Sequence, residues 1–452
     1  MTSDPIAALA TARGTAALAV VRVSGDGAVG VADRCFGKPL DDVPSHTAHV
    51  GYFRHPKTEA RLDQVVVTVF RAPHSSTGED VVEITTHGGD LAPALVLDAL
   101  LAAGARLAEP GEFTQRAFLN GKLDLTQAEA VADLIHASSR QAHRTALAHL
   151  RGDYARLLAR LRDELLETAA LTELELDFSD EDVAFADRGH LADLLARAET
   201  TLSDLLGSYR FGRLVRDGVR VAILGRPNAG KSTLLNRLVG YDRAIVSPIA
   251  GTTRDEVEAE AEVDGLRLVF VDTAGLRDTS DEIEAEGVRR AEARAETADV
   301  VTYVYDVSHG LSEEEHIRLE SLRRGSAPVV LVANKRDLAP HAALPGDAFA
   351  VSASNPDDDG PARLAQHLAS VASGQAGAAE AAQVVTNARH RQHLAAALDA
   401  VRRARVVLAS GLSGDLLALD LRAALHELGA ITGQVTSEDV LSAIFSRFCI
   451  GK

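Results

Sequence analysis

The stretch Gly225-Arg226-Pro227-Asn228-Ala229-Gly230-Lys231-Ser232-Thr233 lies between an apolar run, Val219-Arg220-Val221-Ala222-Ile223-Leu224, and Leu234-Leu235-Asn236-Arg237-Leu238, which continues at helical spacing. Strand, glycine loop and helix form the context in which G-x-x-x-x-G-K-[ST] reads as a phosphate site. The glycines let backbone N–H groups face a polyphosphate, and the helix N-terminus adds the positive end of its dipole. Lys231 is placed for the β/γ phosphates and the Ser232 hydroxyl for a magnesium ion. The bare pattern arises by accident in roughly one chain of this length in a hundred at average composition. A second witness is therefore required.

Four further segments supply it. Asp272-Thr273-Ala274-Gly275 follows the strand-like Leu268–Val271, where Asp272 can hold Mg²⁺ through water and the Gly275 N–H can meet a γ-phosphate. Asn334-Lys335-Arg336-Asp337 follows Val329–Ala333, and the Asp337 carboxylate can accept from N1–H and the exocyclic amine of guanine. Sites built on such buried pairing reject a mismatched partner by about 10⁴–10⁵. Ser352-Ala353-Ser354 after the next strand would close over the base. Gly251-Thr252-Thr253-Arg254-Asp255 places Thr253 as a second magnesium ligand, ordered only when the γ-phosphate is present. Each segment alone is weak; together they describe a GTP-binding domain. Position 276 is Leu, where small signalling GTPases carry a water-orienting glutamine, so water must be positioned otherwise. Asn228 can offer a side-chain oxygen beside the β/γ bridge, or simply fill the loop.

Around this domain the periodicity changes twice. Residues 14–25, His49–Phe53, Gln64–Phe70 and Val81–Thr86 read as strands, and Leu91–Ala103 as a helix stopped by Gly104. These make an α+β domain over residues 1–120. Helical spacing runs from Thr126 to about Leu176, breaks at the acidic Asp177–Asp182, and resumes over His190–Tyr209. The acidic run lacks the glycine and glutamate spacing of a calcium loop and reads as a solvated connection. Residues 216–375 alternate strands (Glu256–Val263, Leu266–Val271, Val300–Tyr305, Val329–Ala333, Ala348–Val351) with helical stretches, the signature of a mostly parallel sheet covered on both faces. Asp264-Gly265 marks a hairpin turn, and Ser373–Gly377 a linker. Helical periodicity returns at Arg389–Ser410, Leu416–Leu428 and Ser437–Phe448. The economical layout is a helical domain in two parts, 121–215 and 376–452, with the α/β GTPase domain inserted.

Composition sets limits on partners. With 47 Lys+Arg against 65 Asp+Glu the net charge is −18, so any contact with RNA must come from a local patch. Two such patches are Arg389, Arg391, Arg402, Arg403 and Arg405, and Arg140, Arg144, Arg151, Arg156, Arg160 and Arg162. They can meet tRNA phosphates or serve as solvated helix faces. The two cysteines, Cys35 and Cys449, fit a reducing compartment without disulfides. No apolar run approaches 18 residues and the start lacks a basic leader, so a cytoplasmic protein with no membrane contact is expected.

Several motifs together resemble the MnmE (TrmE) family of tRNA-modifying GTPases. They are Gly-Arg-Pro-Asn-Ala-Gly-Lys-Ser (225–232), Ile-Ala-Gly-Thr-Thr-Arg-Asp (249–255), Asp-Thr-Ala-Gly-Leu-Arg (272–277) and the terminal Phe448-Cys449-Ile450-Gly451-Lys452. Glu109–Thr114 and Arg116–Leu125 are similar to the family's N-terminal segment. The resemblance covers essentially the whole chain. It implies a multidomain fold: an α+β N-terminal folate-binding domain that dimerises, an α-helical bundle, and an inserted Ras-like P-loop GTPase domain. It also implies a heterotetramer of the homodimer with an MnmG-type FAD-dependent partner, acting on C5 of the wobble uridine of certain tRNAs. A tetrahydrofolate one-carbon derivative and glycine or ammonium would be consumed.

Hydrolysis in this family is activated by potassium-dependent dimerisation. By the resemblance, K⁺ is held by Asn228, Ser247, Ile249 and Thr252, and the catalytic glutamate is Glu284, with Glu282 its neighbour and rival. Asn228 shares the catalytic role through the cation. GTP contacts are expected from Asn228, Ala229, Gly230, Lys231, Ser232, Thr233, Ser247, Pro248, Ile249, Ala250, Gly251, Thr252, Thr253, Asp272, Thr273, Ala274, Gly275, Asn334, Lys335, Arg336, Asp337, Ser352, Ala353 and Ser354, with Mg²⁺ on Ser232 and Thr253. Folate contacts map onto Arg22, Glu83, Lys122 and Lys452. The opening Leu9–Gly14 departs from the family's usual proline- and glycine-rich start.

A rival from another class is a regulatory GTPase switch in ribosome assembly, which shares the nucleotide motifs but needs neither a folate pocket nor the terminal Cys-Ile-Gly-Lys. Cys449 is either a thiolate taking part in the modification or, with more weight, a small buried residue anchoring the tail. His87, before Gly88-Gly89, reads as a structural strand end rather than a metal ligand.

Overall fold

The computed structural model describes residues 4–177, 188–240, 259–271, 295–374, 383–410 and 414–452. They form two compact units, one of Met1–Ala132, His149–Ala159 and Leu425–Lys452, the other of Asp133–Ala148 and Arg160–Ala424.

The first unit is built on a six-stranded sheet: β1 (Ile6–Leu9), β2 (Leu18–Ser24), β3 (Thr47–Arg54), β4 (Arg61–Phe70), β5 (Val81–His87) and β6 (Arg106–Leu107), in the order β3-β4-β5-β2-β1-β6. Alternation explains the strands: Val65, Val67 and Val69 of β4 are buried while Gln64 and Val66 face out. Helix Leu91–Ala102 lays Val96, Ala99 and Leu100 on the buried face beside Val21, Val23, Val82 and Ile84. β1 was not foreseen. Its Ile6-Ala7-Ala8-Leu9 run has no alternation because β1 is an interior strand, antiparallel to β2 and parallel to β6, and a short continuous apolar run carries no period to read. Helix Glu438–Phe445 also belongs here; its Leu441 and Phe445 pack with Phe448 on Leu125 and Ala128.

The second unit holds the parallel sheet: β7 (Val219–Leu224), β8 (Ala259–Val263), β9 (Leu266–Phe270), β10 (Val300–Asp306), β11 (Val329–Asn334) and β12 (Phe349–Ala350), ordered β12-β11-β10-β7-β9-β8. Among the described strands of this sheet, only the β8–β9 pair is antiparallel. One face carries helices Lys231–Val239 and Gly360–Ser373 and the end of Arg188–Asp217, through Leu234, Leu238, Leu364, Leu368, Phe211 and Leu214. The other carries helix Glu313–Arg323, through Leu319 against Tyr303, Tyr305 and Leu331. That helix opens on a capping box of Ser312 and Glu315. The sheet is covered on both faces, as the strand–helix alternation predicts.

Two details differ from the sequence reading. β11 is followed by a single 3-10 turn, Arg336–Leu338, instead of a longer helix. The expected helix from Thr126 is three helices, Leu125–His136, Arg140–Leu150 and Asp153–Asp177. The Ser139 hydroxyl accepts from the Ala142 N–H and so starts the second of them.

Among the remaining helices, Arg188–Asp217 pairs with Ala388–Ser410. The Ser208 hydroxyl accepts from the Val385 N–H at 3.0 Å, and Glu199 takes Arg402 at 3.0 Å together with Arg405. No described helix is long and apolar enough to cross a membrane.

Candidate functional site

The phosphate loop leaves the carboxyl end of β7 and ends on helix Lys231–Val239, the place where open α/β sheets bind ligands. Gly230 has φ +90°, and a Cβ there would lie 2.2 Å from Asn334 Nδ2. Only glycine allows the loop to pass this close to β11. Lys231 folds back along the loop, donating from Nζ to the Gly225 carbonyl at 2.9 Å and the Arg226 carbonyl at 2.7 Å. Burial, with Arg318 nearby, lowers its pKa from the ordinary lysine value. An ammonium held by two neutral carbonyls in a partly buried loop lacks an anion, and a polyphosphate fits that deficit. Ser232 and Thr233 are exposed on the first helical turn; Ala229 is buried; Asn228 is exposed with φ +63°.

Asn334 ties this loop to the base-side segments. Its Nδ2 donates to the Ala229 carbonyl at 2.8 Å, and its Oδ1 accepts from the Ala353 N–H at 3.1 Å. One buried amide thus fixes the phosphate loop and the Ser352–Ser354 segment to the end of β11. The Asp337 N–H donates to Ser352 Oγ at 3.0 Å and the Arg336 N–H to the Val351 carbonyl at 3.1 Å, leaving the Asp337 carboxylate exposed. Ser354 is exposed. The described residues of the phosphate loop and of the base-side segments are therefore assembled at the carboxyl ends of β7 and β11.

Sequence reasoning missed three residues that shape this site. Arg237 donates to the carbonyls of Asn355, Pro356 and Asp358, pinning the loop after Ser354 to the phosphate-loop helix. The Asp358 carboxylate accepts from the Ser352 and Gly360 N–H groups. Asp306, the last residue of β10, takes the Lys335 ammonium at 2.7 Å. A carboxylate closing a parallel strand was the available signal for Asp306; nothing local marks Arg237 or Asp358. Ser247, Pro248, Ile249, Ala250, Gly251, Thr252, Thr253, Asp272, Thr273, Ala274, Gly275, Glu282 and Glu284 lie outside the described residues, as does the Asp177–Asp182 run beyond Asp177.

In the first unit, Arg22 and Glu83 face each other across β2 and β5, with Arg22 Nη2 2.7 Å from Glu83 Oε1 and the guanidinium 5.7 Å from the Phe113 ring centre. Lys122 Nζ donates to the Pro73 carbonyl at 3.0 Å. The tail reaches the same sheet: Ile450 bridges Pro110, and a Cβ on Gly451 (φ +95°) would stand 2.2 Å from the Leu9 carbonyl oxygen, which brings Lys452 to the end of β1. β1 pairs with β2 so that Ala8 lies opposite Arg22.

Cys449 is exposed, which overturns its reading as a buried anchor; the tail is held by Ile450 and Gly451 instead. His87 ends β5, and its ring and N–H both meet Asp63, at 2.7 and 2.8 Å. No cluster of three or more metal-ligating side chains occurs among the described residues. Six arginines of the basic runs are paired with carboxylates: Arg402 and Arg405 with Glu199, Arg403 with Asp420, Arg140 with Glu262, and Arg151 and Arg156 with Asp153. Arg391 lies over the Tyr209 ring.

Residues 5–122 match the family described as GTP-binding protein TrmE N-terminus, and residues 125–449 the MnmE helical domain. The tRNA modification GTPase MnmE of Salinibacter ruber is 59% identical over all of this chain and 99% of its own length. That of Chlorobium phaeobacteroides is 46% identical over 99% and 97%, and that of Cytophaga hutchinsonii 44% over 100% and 98%. Matched from end to end in this way, the chain belongs to the MnmE (TrmE) family of tRNA modification GTPases.

Proposed function

We propose that this tRNA modification GTPase is activated by potassium and works with an FAD-dependent, MnmG-type partner to install an aminomethyl-type group at C5 of the wobble uridine, drawing on a tetrahydrofolate one-carbon unit. GTP hydrolysis in tRNA modification follows from membership of the family. The observation that supports the nucleotide part is the Asn334 tie, which joins the phosphate loop to the segment expected to meet the base. On binding, Lys231 would exchange the Gly225 and Arg226 carbonyls for β/γ-phosphate oxygens. Ser232 and Thr253 would hold Mg²⁺, and Asp337 would read the guanine edge.

Potassium would be held by Asn228, Ser247, Ile249 and Thr252 in a homodimer of GTPase domains, with Glu284 addressing the water. Leu276 leaves no glutamine for that task. A cation by the β/γ bridge offsets developing charge as an arginine finger does, an effect of about 10³–10⁵ in rate. The folate unit would lie against Arg22, Glu83, Lys122 and Lys452. Their support is the cross-strand pairing of Arg22 with Glu83 and the tail's arrival at β1, two charged positions and a chain end converging on one sheet. The residues are divided as a folate-binding region 1–120, helical parts 121–215 and 376–452, and a GTPase domain 216–375. Mass spectrometry of wobble uridines in a strain lacking this protein tests the whole; an unaltered nucleoside profile would overturn it.

A further inference from the structure

Asp306 sits where β10 ends, directly opposite Asn334 in the β10–β11 register. Its two carboxylate oxygens have separate partners. Oδ1 accepts from the Ser308 N–H at 2.9 Å and the Ser308 hydroxyl at 2.6 Å, and Oδ2 takes Lys335 Nζ at 2.7 Å. The backbone at Lys335 is left-handed, with φ +62°, a conformation uncommon for a side chain of this size. The flanking groups are fixed as well: Asn334 by the phosphate loop, Arg336 by the Val351 carbonyl, Asp337 by Ser352. Lys335 is therefore held at both ends, backbone and ammonium. Its four-carbon stem is a pre-ordered apolar strip between the residue that ties the phosphate loop and the residue that faces the base.

We propose that Asp306 is a positioning residue for nucleotide binding: it holds Lys335 so that the lysine stem forms a standing wall for the flat face of the purine, while Asp337 reads its edge. The inference rests on the guanine-site reading above. Burial pushes the Asp306 carboxyl up, but Lys335 and Ser308 outweigh it and keep the group ionised far below the usual carboxylate range. A lysine ordered before the nucleotide arrives loses less freedom on binding than a free one, so the gain falls on affinity. On the guanine-site reading both residues act at the base end, so the expected effect is on binding and not on the chemistry at the γ-phosphate.

The test is a double-mutant cycle in the full chain, read by titration with a fluorescent ribose-labelled GDP and by steady-state GTP hydrolysis. Asp306→Asn keeps the size and the acceptor for Ser308 but drops the charge. It is expected to weaken GDP binding about tenfold and raise KM in step, with kcat at saturating GTP within about twofold of the parent, the split of a group that acts on binding. Lys335→Ala should lose a similar amount and the double variant no more than Lys335→Ala alone. Parental affinity in Asp306→Asn at a parental melting temperature, or losses that add, would overturn the assignment. Asp337→Asn is the control. If it loses guanine preference while Asp306→Asn binds normally, only the positioning role fails; if it keeps guanine preference, the base-site reading fails and the inference with it.

Discussion

Asn334 donates to the Ala229 carbonyl at 2.8 Å, across a gap that a side chain at Gly230 would close. The amide is buried and its other end accepts from Ala353, so two loops that never touch in sequence are set by one side chain. Asn334→Ala leaves one carbonyl and one N–H without partners, a loss of about 1–3 kcal/mol for each group that stays dry. The expected outcome is a lower unfolding midpoint for the second unit and GDP affinity reduced by at least about tenfold, since both halves of the site drift apart. Urea denaturation followed by labelled-GDP titration checks it; a stable variant with normal affinity would remove the tie from the site.

Asp337 presents an exposed carboxylate while its N–H is fixed by Ser352. Asp337→Asn turns one acceptor into a donor, which opposes the guanine N1–H and suits the 2-oxo group of xanthine. GTP should lose at least about tenfold in kcat/KM and xanthosine triphosphate should gain. Competition between the two nucleotides for the labelled-GDP site measures the exchange.

Much of this site was legible because its chemistry is local. The strand, glycine loop and helix at 219–238 sit together in the chain, and so do Asn334 to Asp337; each motif fixes its own backbone. Arg237 was silent because the carbonyls it meets, at 355, 356 and 358, lie far along the chain; Asp306 had only its place at the close of a parallel strand as a signal, and meets Lys335 through the pairing of β10 with β11. The Asp358 carboxylate serves the nearby Ser352 and Gly360 N–H groups in a loop with no readable pattern. β1 was silent for another reason: buried on both faces, it has no period. Cys449 was misjudged because a cysteine's usual burial is a statistical tendency, whereas this tail is anchored by backbone contacts on either side of Pro110 and Leu9. The arginine runs could be read as nucleic-acid contacts or as solvated faces, and the sequence could not show that Glu199, Asp420 and Asp153 pair with Arg402, Arg405, Arg403, Arg151 and Arg156.

The proposed potassium activation can be tested at Asn228. Asn228 is exposed at the bend of the phosphate loop, free of the Asn334 tie. Hydrolysis at high protein concentration should run faster in K⁺ than in Na⁺ by about 10-fold or more. Asn228→Ala should erase that difference while leaving GDP affinity nearly as it was. Equal turnover in the two salts for the parent protein would sink the cation mechanism.

The two cysteines should separate under a thiol reagent. Cys35 is buried under helix Leu91–Ala102, its Sγ 3.5 Å from the Ala99 carbonyl, and burial pushes its pKa up to about 11 against the pull of Arg34. Cys449 is exposed. A disulfide reagent at pH 8 should therefore titrate one thiol per folded chain and a second only on denaturation, because the thiolate is the reactive form. Cys449→Ser should abolish the fast phase. Two fast thiols in the native protein would contradict the burial of Cys35.

Glu112 offers the sharpest pH test. Burial raises its pKa, but Arg106 at 2.5 and 2.9 Å, the Glu109 N–H at 2.9 Å and Arg116 at 3.0 Å outweigh burial and hold the carboxyl below its ordinary value. Arg116 is itself nearly buried and also bonds Glu79 and the Asp4 carbonyl, so the carboxylate closes a network that links Arg106, Arg116, Glu79 and Asp4. A group whose pKa falls on folding contributes stability that is full above its unfolded pKa, about 4.3, and is lost as pH drops through the lower folded value. Glu112→Gln should cost about 2–3 kcal/mol at pH 7, less than the full loss from breaking a buried pair because Arg106 can rehydrate. The same variant should show a flatter decline in stability below pH 4, since the proton-linked part is gone. Hydrogen exchange of the amides in 106–119, compared between pH 7 and pH 4, reads this locally. Parallel pH profiles for variant and parent would mean that the stability of this helix owes nothing to the Glu112 charge.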